Sequence, residues 1–405
     1  MANIYKTRND GDVLRLFMES FHNKSTFLKT CNRQHDKDFG QEGRKNAGSI
    51  LIKNPNEYTV GETAVASVQN VEETVQTFTV AQRANITVAI TSYERTMSED
   101  DFKQEVADPS MLRLVSNVES RCMKALFPAV YNQTGTPATT PATMAAVLAA
   151  RARLVQKLAP EDDLHLMLDP TAMAAVVGGA SAAYFHAASE LEKGFLKGYY
   201  GNGAGFKWWE TAMIPAHING TRDDTTITAA PNAWVNGQTT IVITGASGTY
   251  TVGDKFTVAT VYDLNQETKD PYTHLKQFVV TAANTNDGDD TISVSPAIYV
   301  SGAKQNVYMP TAGATDAVVN LTGGGSGAAG ASHFLTMAYH RNAFSVAFAP
   351  LPAPHSGKYS QKTIENVTMR MWQFSDGIND THTTRFDVLF GYLCQRPEWA
   401  CVARG

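Results

Sequence analysis

Hydrophobic positions change their spacing several times along this 405-residue chain, and the changes mark its parts. Leu14, Phe17, Met18 and Phe21 recur at helical intervals and predict one short amphipathic helix, with Phe27 and Leu28 continuing the apolar set. Asn32 to Asn46 mixes both charge signs with few apolar residues and reads as an extended or mobile arm. Ile50-Leu51-Ile52 is a short apolar run. Phe78 and Val80, then Ile86, Val88 and Ile90, alternate as half-buried strands do. Between them Asn54 to Val75 is polar, with Pro55, Gly61 and four glutamates, Glu57, Glu62, Glu72 and Glu73. That pattern predicts a two-stranded ribbon solvated on both faces. Such a ribbon is marginal by itself, so its order is expected to come from a neighbouring subunit.

Helix signals follow. Ser98 with Asp101 offers one start, and Asp108-Pro109 a second, with aspartate as the cap and proline in the first turn. Met111, Leu114, Val115, Val118, Cys122, Ala125 and Leu126 then form one apolar stripe, the clearest helix of the chain, ending before Pro128. Residues 132–142 read as a Thr/Pro/Gly linker, Thr143 to Leu158 as an alanine-rich helix and Leu164 to Leu168 as a buried strand. Asp169-Pro170 opens a small-residue helix to about Ala188. A glycine-rich loop at Gly198 to Gly205 leads into Phe206, Trp208 and Trp209, expected to anchor a core or meet another subunit.

From 225 to 310 the period becomes two. Strands are predicted at Ile227 to Ala229, Thr240 to Ile243, Lys255 to Val261, Lys276 to Ala282, Thr291 to Val294 and Asn306 to Tyr308. Turn chemistry separates them at Asn236-Gly237, Gly245 to Gly248, Gly253-Asp254 and Asn286-Asp287-Gly288. About six short strands at this spacing suggest a small barrel set inside a mixed chain. Leu321 to Gly330 is a linker by composition. A helix near His333 to His340, a strand at Phe344 to Ala349, the rigid Leu351-Pro352-Ala353-Pro354 and strands near Val367 to Phe374 and Thr384 to Leu393 complete the reading.

Composition narrows the function. With 43% hydrophobic and 18% charged residues the chain is globular, and its length implies two or three domains. A net charge of −5 argues against a dedicated nucleic-acid binder. No apolar run is long enough to span a membrane, and Met1 to Arg8 lacks a signal-peptide core, so folding in the cytoplasm is expected. Cys31, Cys122, Cys394 and Cys401 lack C-x-x-C spacing and read as buried free thiols. Asp287, Asp289 and Asp290 lack calcium-loop spacing, Gly323 to Gly330 lacks the lysine of a phosphate loop, and His333 with His340 makes a weak metal pair. No catalytic residue, cofactor or metal is expected.

Three stretches carry a resemblance. Leu389-Phe390-Gly391-Tyr392 runs into Arg396-Pro397-Glu398; Gly253-Asp254-Lys255-Phe256 precedes Phe278-Val279-Val280; Asn342-Ala343-Phe344-Ser345-Val346 leads to Leu351-Pro352. In order and content these resemble the coat proteins of short-tailed double-stranded-DNA phages of the P-twenty-two type. The resemblance implies an α+β fold, the tailed-phage major-capsid fold (HK-ninety-seven-like), with an inserted all-β barrel domain. Its parts would be an N-terminal arm (1–48), the extended loop and peripheral strands (49–95), the long peripheral helix (96–135), a peripheral and apical α/β region (136–222), the barrel (223–332) and the apical and peripheral return (333–405).

It further implies hexamers and pentamers in an icosahedral shell, made and assembled in the bacterial host cytoplasm. The partners would be copies of the chain, a scaffolding protein, a portal protein and weakly held double-stranded DNA, with expansion on maturation and no membrane. Glu57, Glu62, Glu72, Glu73, Arg83, Trp208 and Trp209 are the expected subunit-interface residues. The rival readings are a tail-tube or decoration protein, or a hydrolase using the 198–209 loop.

Overall fold

In the computed structural model, the residues described are 14–15, 17–21, 25–39, 48–60, 68–70, 73–89, 108–136, 139–181, 202–222, 228–245, 248–285, 289–311, 313, 315–321, 329–354, 357–364, 367–376 and 381–405. They fall into two units. The first takes residues 1–52, 75–122 and 344–393; the second takes 53–74, 123–343 and 394–405.

The first unit is a six-stranded sheet carrying helices. Its strands run in the order Ser49–Lys53, Val75–Ala89, Thr381–Cys394, Val367–Asp376 and Lys358–Ile364, with Phe344–Ala349 also paired to Thr381–Cys394. The two alternating runs expected around Phe78 and Val88 form one 15-residue strand. It pairs antiparallel with Thr381–Cys394 from Ala89 against Thr383 to Val80 against Gly391. A Cβ at Gly391 would come within 2.4 Å of Thr79 O, so the glycine of the Leu-Phe-Gly-Tyr run is needed where the ladder slips register. The Lys358–Ile364 strand was not legible in the sequence; it borders the sheet, and its alternation is blurred by five polar residues, Lys358, Ser360, Gln361, Lys362 and Thr363.

The helix runs Asp108–Leu126 and buries Met111, Leu114, Val115, Val118, Cys122 and Leu126 of the stripe expected, while Ala125 is exposed. The earlier start at Ser98 lies outside the described residues. Residues 14–15 and 17–21 are helical, with Leu14, Phe17, Met18 and Phe21 buried and Phe17 stacked on Phe386 at 4.1 Å. The stretch read as an arm from Asn32 is ordered packing up to Phe39. Asn32 bridges to Ser345, Gln34–Asp38 form a 3-10 turn, and Asp36 Oδ1 accepts from Phe348 N at 2.9 Å. Buried Glu119 accepts from Thr26 N and Leu28 N, tying the Phe27–Thr30 turn to the long helix.

The second unit holds an α/β layer and a barrel. The layer's strand order is Gln133–Thr134, Ala400–Ala403, Met337–His340, Leu164–Leu168, Phe206–Glu210 and Asn202–Gly203. Helices Met144–Gln156 and Pro170–Ser181 cover it with Val147, Ala150, Leu154, Ala172, Met173 and Val176. Thr143 Oγ1 caps the first by accepting from Ala146 N, and Asp169 Oδ2 caps the second through Thr171 N and Ala172 N. Two sequence expectations change here. The 132–142 linker begins with a strand, because Gln133–Thr134 pairs parallel with Val402 and Ala403. His333 to His340 is two strands, Ser332–Phe334 and Met337–His340, not a helix. Met337–His340 lies between two buried strands with every residue buried, and a fully buried strand loses the polar alternation that would announce it.

The barrel closes in the order Lys255–Leu264, Pro271–Val280, Asp290–Ile298, Gln238–Thr244, Thr228–Ala229, Asp316–Asn320. Six strands were expected, and five fall where they were placed. The sixth is Asp316–Asn320; Asn306 to Tyr308 makes a single bridge, Tyr308 against Tyr262. Trp234, Ile241, Ile243, Phe256, Val258, Phe278, Val280, Ile292 and Val318 fill the interior. Alternation is the cause: each strand turns every second side chain inward, and closure leaves no exposed edge.

Candidate assembly surfaces and the barrel stem

Residues 54–60, 68–70 and 73–74 form the two legs of a loop that the sequence marked as a ribbon. Among the described residues the legs carry no strand. They meet through Asn54 N to Thr74 O at 2.9 Å, Thr59 N to Gln69 Oε1 at 2.8 Å, and the ion pair Lys53 to Glu73 at 2.8 Å. Glu57 and Glu73 are exposed, and Glu57 lies close enough to Lys269 of the barrel to raise that lysine's proton affinity against the opposing effect of burial. Glu62 and Glu72 lie outside the described residues.

What the sequence reading missed on this loop is apolar. Val60 is 92% exposed, Val68 94% and Tyr58 58%. Three large hydrophobic side chains thus stand in the open on the described residues of these legs. The signal was available: Tyr58 and the valines Val60, Val65, Val68 and Val71 recur through a largely polar stretch.

The remaining candidates divide. Arg83 is exposed on the Val75–Ala89 strand and lines a cleft with Asn85, Arg113, Asn117 and Arg121. Arg121 donates to Arg83 O at 2.9 Å and sits over the Phe390 ring at 5.3 Å. Trp208 has no surface to offer: it is fully buried in the α/β core, its indole N–H donating to Gly203 O at 2.8 Å. Strand alternation turns Trp209 to the other face, where its N–H reaches His165 Nδ1 at 3.1 Å and the ring stays half-buried.

Chemistry is sparse. Among the described residues no group of three or more His, Cys, Asp or Glu is placed to hold a metal. Asp289 and Asp290 serve turns, accepting from Gly245 N and Asn284 Nδ2. All four cysteines are free, and burial pushes their thiols upward, away from the reactive thiolate.

Charge concentrates instead where the barrel meets the α/β layer. Asp263 of the barrel faces Lys157 at 2.5 Å, Lys276 and His274 at 3.3 Å each, and Arg153 at 3.8 Å. Burial pushes the Asp263 carboxyl up, but Lys276, His274 and Lys157 outweigh it and hold it well below the usual carboxylate range. Lys157 is drawn down to about 7 by burial and by Lys276, against the pull of Asp263. Nearby ties are Tyr272 OH to Gln156 O at 2.9 Å and a reciprocal pair, Gln133 N to Gln277 Oε1 at 2.7 Å and Gln277 Nε2 to Gln133 O at 2.9 Å.

A second cluster surrounds the stem. The chain passes toward the barrel through Ala216–Ile218 and returns through Ser332–Phe334, and these strands pair antiparallel with His217 directly opposite His333. His217 Nε2 lies 2.8 Å from Asp254 Oδ1, and Asp254 also accepts from Gly220 N at 3.1 Å and Thr251 N at 2.7 Å. Gly253 has φ of 99°, and a Cβ there would meet Pro128 at 2.8 Å and His217 at 3.2 Å. The Gly-Asp-Lys run that stood out in the sequence is thus the stem's floor, with Lys255 fully buried beside it.

This chain is similar to several known proteins. The family model described as "P22 coat protein - gene protein 5" matches residues 71–403, most of the chain. The major capsid protein of Acyrthosiphon pisum secondary endosymbiont phage 1 is 22% identical, with 98% of each chain covered. Among solved structures, Mycobacterium phage Che8 covers 93% of this chain and 90% of its own at 10% identity, TM-score 0.48. The capsid structure of cyanophage P-SCSP1u covers 93% and 87% at 10% identity, TM-score 0.43. The extent of the family match, spanning the long strand, the α/β layer, the whole barrel and the C-terminal strands, places this chain in the P22 coat protein family.

Proposed function

We propose that this chain is a major capsid protein whose copies assemble as hexamers and pentamers into an icosahedral shell around phage double-stranded DNA. The observation that carries the reading is the family match over 71–403, and the loop with Tyr58, Val60 and Val68 uncovered supports it physically. In this reading the sheet-and-helix unit is the peripheral domain, the α/β layer is the apical domain, and the 53–74 loop lies over a neighbouring copy in the manner of the tailed-phage capsid fold. Glu57, Glu62, Glu72 and Glu73 then face basic side chains of that neighbour, with Arg83 and Trp209 as further contacts. The role is structural, not enzymatic, and its place is the virion capsid after assembly in the host cytoplasm.

Physical chemistry favours such a design. A shell subunit gains stability from many repeated interfaces, so it can carry segments that have no core of their own. A mildly acidic coat holds packaged DNA weakly, which suits both packaging and release. Scaffold-assisted assembly, a portal and expansion when DNA enters complete the proposal. Electron microscopy of the expressed chain with and without its scaffold tests it. Closed shells are expected; tubes would favour a tail-tube protein, and discrete small particles with no shell in either condition would overturn the reading.

A further inference from the structure

The barrel hangs from the α/β layer by the two-stranded stem, and the stem encloses an unusual charge balance. His333 is buried, and neither ring nitrogen finds a hydrogen-bond partner among the described atoms. Its ring lies 5.5 Å from that of His217, directly across the strand pair. The groups acting on it from the packed elements are His217 of the partner strand, Lys255 at the foot of the barrel and Arg404 of the C-terminal segment. Lys255 is fully buried and Arg404 nearly so, and Arg404 Nη1 donates to Phe334 O at 3.1 Å, on the residue after His333. The carboxylate at this locus, Asp254, is already engaged by His217, Gly220 N and Thr251 N, and the Cys401 thiol beside Lys255 is held neutral by burial.

We propose that His333 makes the barrel's stem an acid-sensitive joint: the closed stem excludes a proton from this imidazole, and taking one up opens the Ala216–Ile218 and Ser332–Phe334 pair. The geometry gives the reason. A proton on His333 adds a third positive charge to a buried site that already holds Lys255 and Arg404, and among the described residues no acceptor is hydrogen-bonded to either ring nitrogen. Opening the stem lets water take both. His217 differs because Asp254 stands ready to pair with it. Burial, Arg404 and His217 together drive the His333 imidazole down to about 2, in agreement with the geometry.

Linkage fixes the size and the sign. The opened imidazole titrates near its free value of about 6.5, and the closed one far lower, so opening binds one proton between the two. The opening equilibrium should therefore rise about tenfold per pH unit below about pH 6. The test is amide hydrogen exchange on the full chain from pH 7.5 to 4.5, corrected for intrinsic rates. It compares residues 216–220, 253–255 and 332–335 with the Leu164–Leu168 strand as the internal reference. The expected result is the tenfold slope at the stem, absent at the reference strand, and flattened by His333→Gln while His217→Gln retains it. A stem whose protection does not change with pH, or a slope that persists in His333→Gln, overturns the proposal. Should His333→Gln fail to fold, the NMR titration of the His333 ring in the wild-type chain decides: a midpoint near 6.5 in the closed state overturns the proposal, and one below 4 supports it.

Discussion

The barrel and the 53–74 loop are two ways of placing a chain in the same protein. The barrel turns Phe256, Phe278, Ile241 and Val294 inward, closes its edges and ties itself to the α/β layer through Asp263 and the Gln133–Gln277 pair. The loop has no buried side chain among its described residues. Its legs touch by a handful of polar contacts while Val60 and Val68 face water. The first region gets its energy from its own burial, at roughly 25 cal/mol per Å² of apolar surface. In the proposed function the second gets it from a neighbouring copy.

That contrast can be broken by mutation. The largest effect should come from Phe278→Ala, which empties the barrel interior; about 3–5 kcal/mol of stability should be lost in urea unfolding of the unassembled chain. Tyr58→Ala in the loop should leave that curve unmoved within about 0.5 kcal/mol while lowering shell yield. Equal losses in the unassembled chain would end the distinction. Next, Asp263→Asn leaves Lys157 and Lys276 buried without their counter-charge and should cost about 3–5 kcal/mol, because the uncompensated charge is the expense, not the lost bond.

A pH scan sharpens the contrast further. Lys157 titrates near 7 when folded and at its ordinary 10.5 when unfolded, so the unfolded chain holds the extra proton between those values. Stability should therefore rise with pH from about 7 toward 10, by up to tenfold in the folding constant per unit from this lysine, and Lys157→Met should lessen the slope while Lys255, also drawn down to about 7 by burial, keeps its own share. The smallest effect belongs to the loop. Glu73→Lys breaks an exposed pair with Lys53, worth about 0–1 kcal/mol to the single chain. Its effect on assembly should exceed its effect on folding; the reverse would argue that the loop serves its own subunit.

The same contrast explains what the sequence could and could not reveal. Barrel strands were legible because period-two alternation and glycine turns are local signals; the exposure of the loop was legible in its polar and acidic residues, but the two strands expected of it are absent among the described residues. Asn306 to Tyr308 misled because a short alternation next to Lys304 and Gln305 looks like a strand whether or not a partner lies beside it. The 332–340 segment misled because a central strand buried on both faces has no alternation to read. The junction was invisible in principle: Lys157 and Asp263 lie 106 positions apart, and nothing local in either names the other. His333 was noticed, but paired by spacing with His340 when its neighbour across the sheet is His217.

The stem has one more consequence, for how such a protein could be built or rebuilt. Neighbouring strands run about 5 Å apart, so the chain leaves the α/β layer and returns to it at nearly the same point. A two-residue hairpin turn could bridge that gap, which makes the barrel a cassette that could be excised, exchanged or replaced by a cargo without redrawing the sheet beneath. The exchange carries one condition: a recipient lacking Asp263 must also shed Lys157, or it inherits a cation with nothing to answer it.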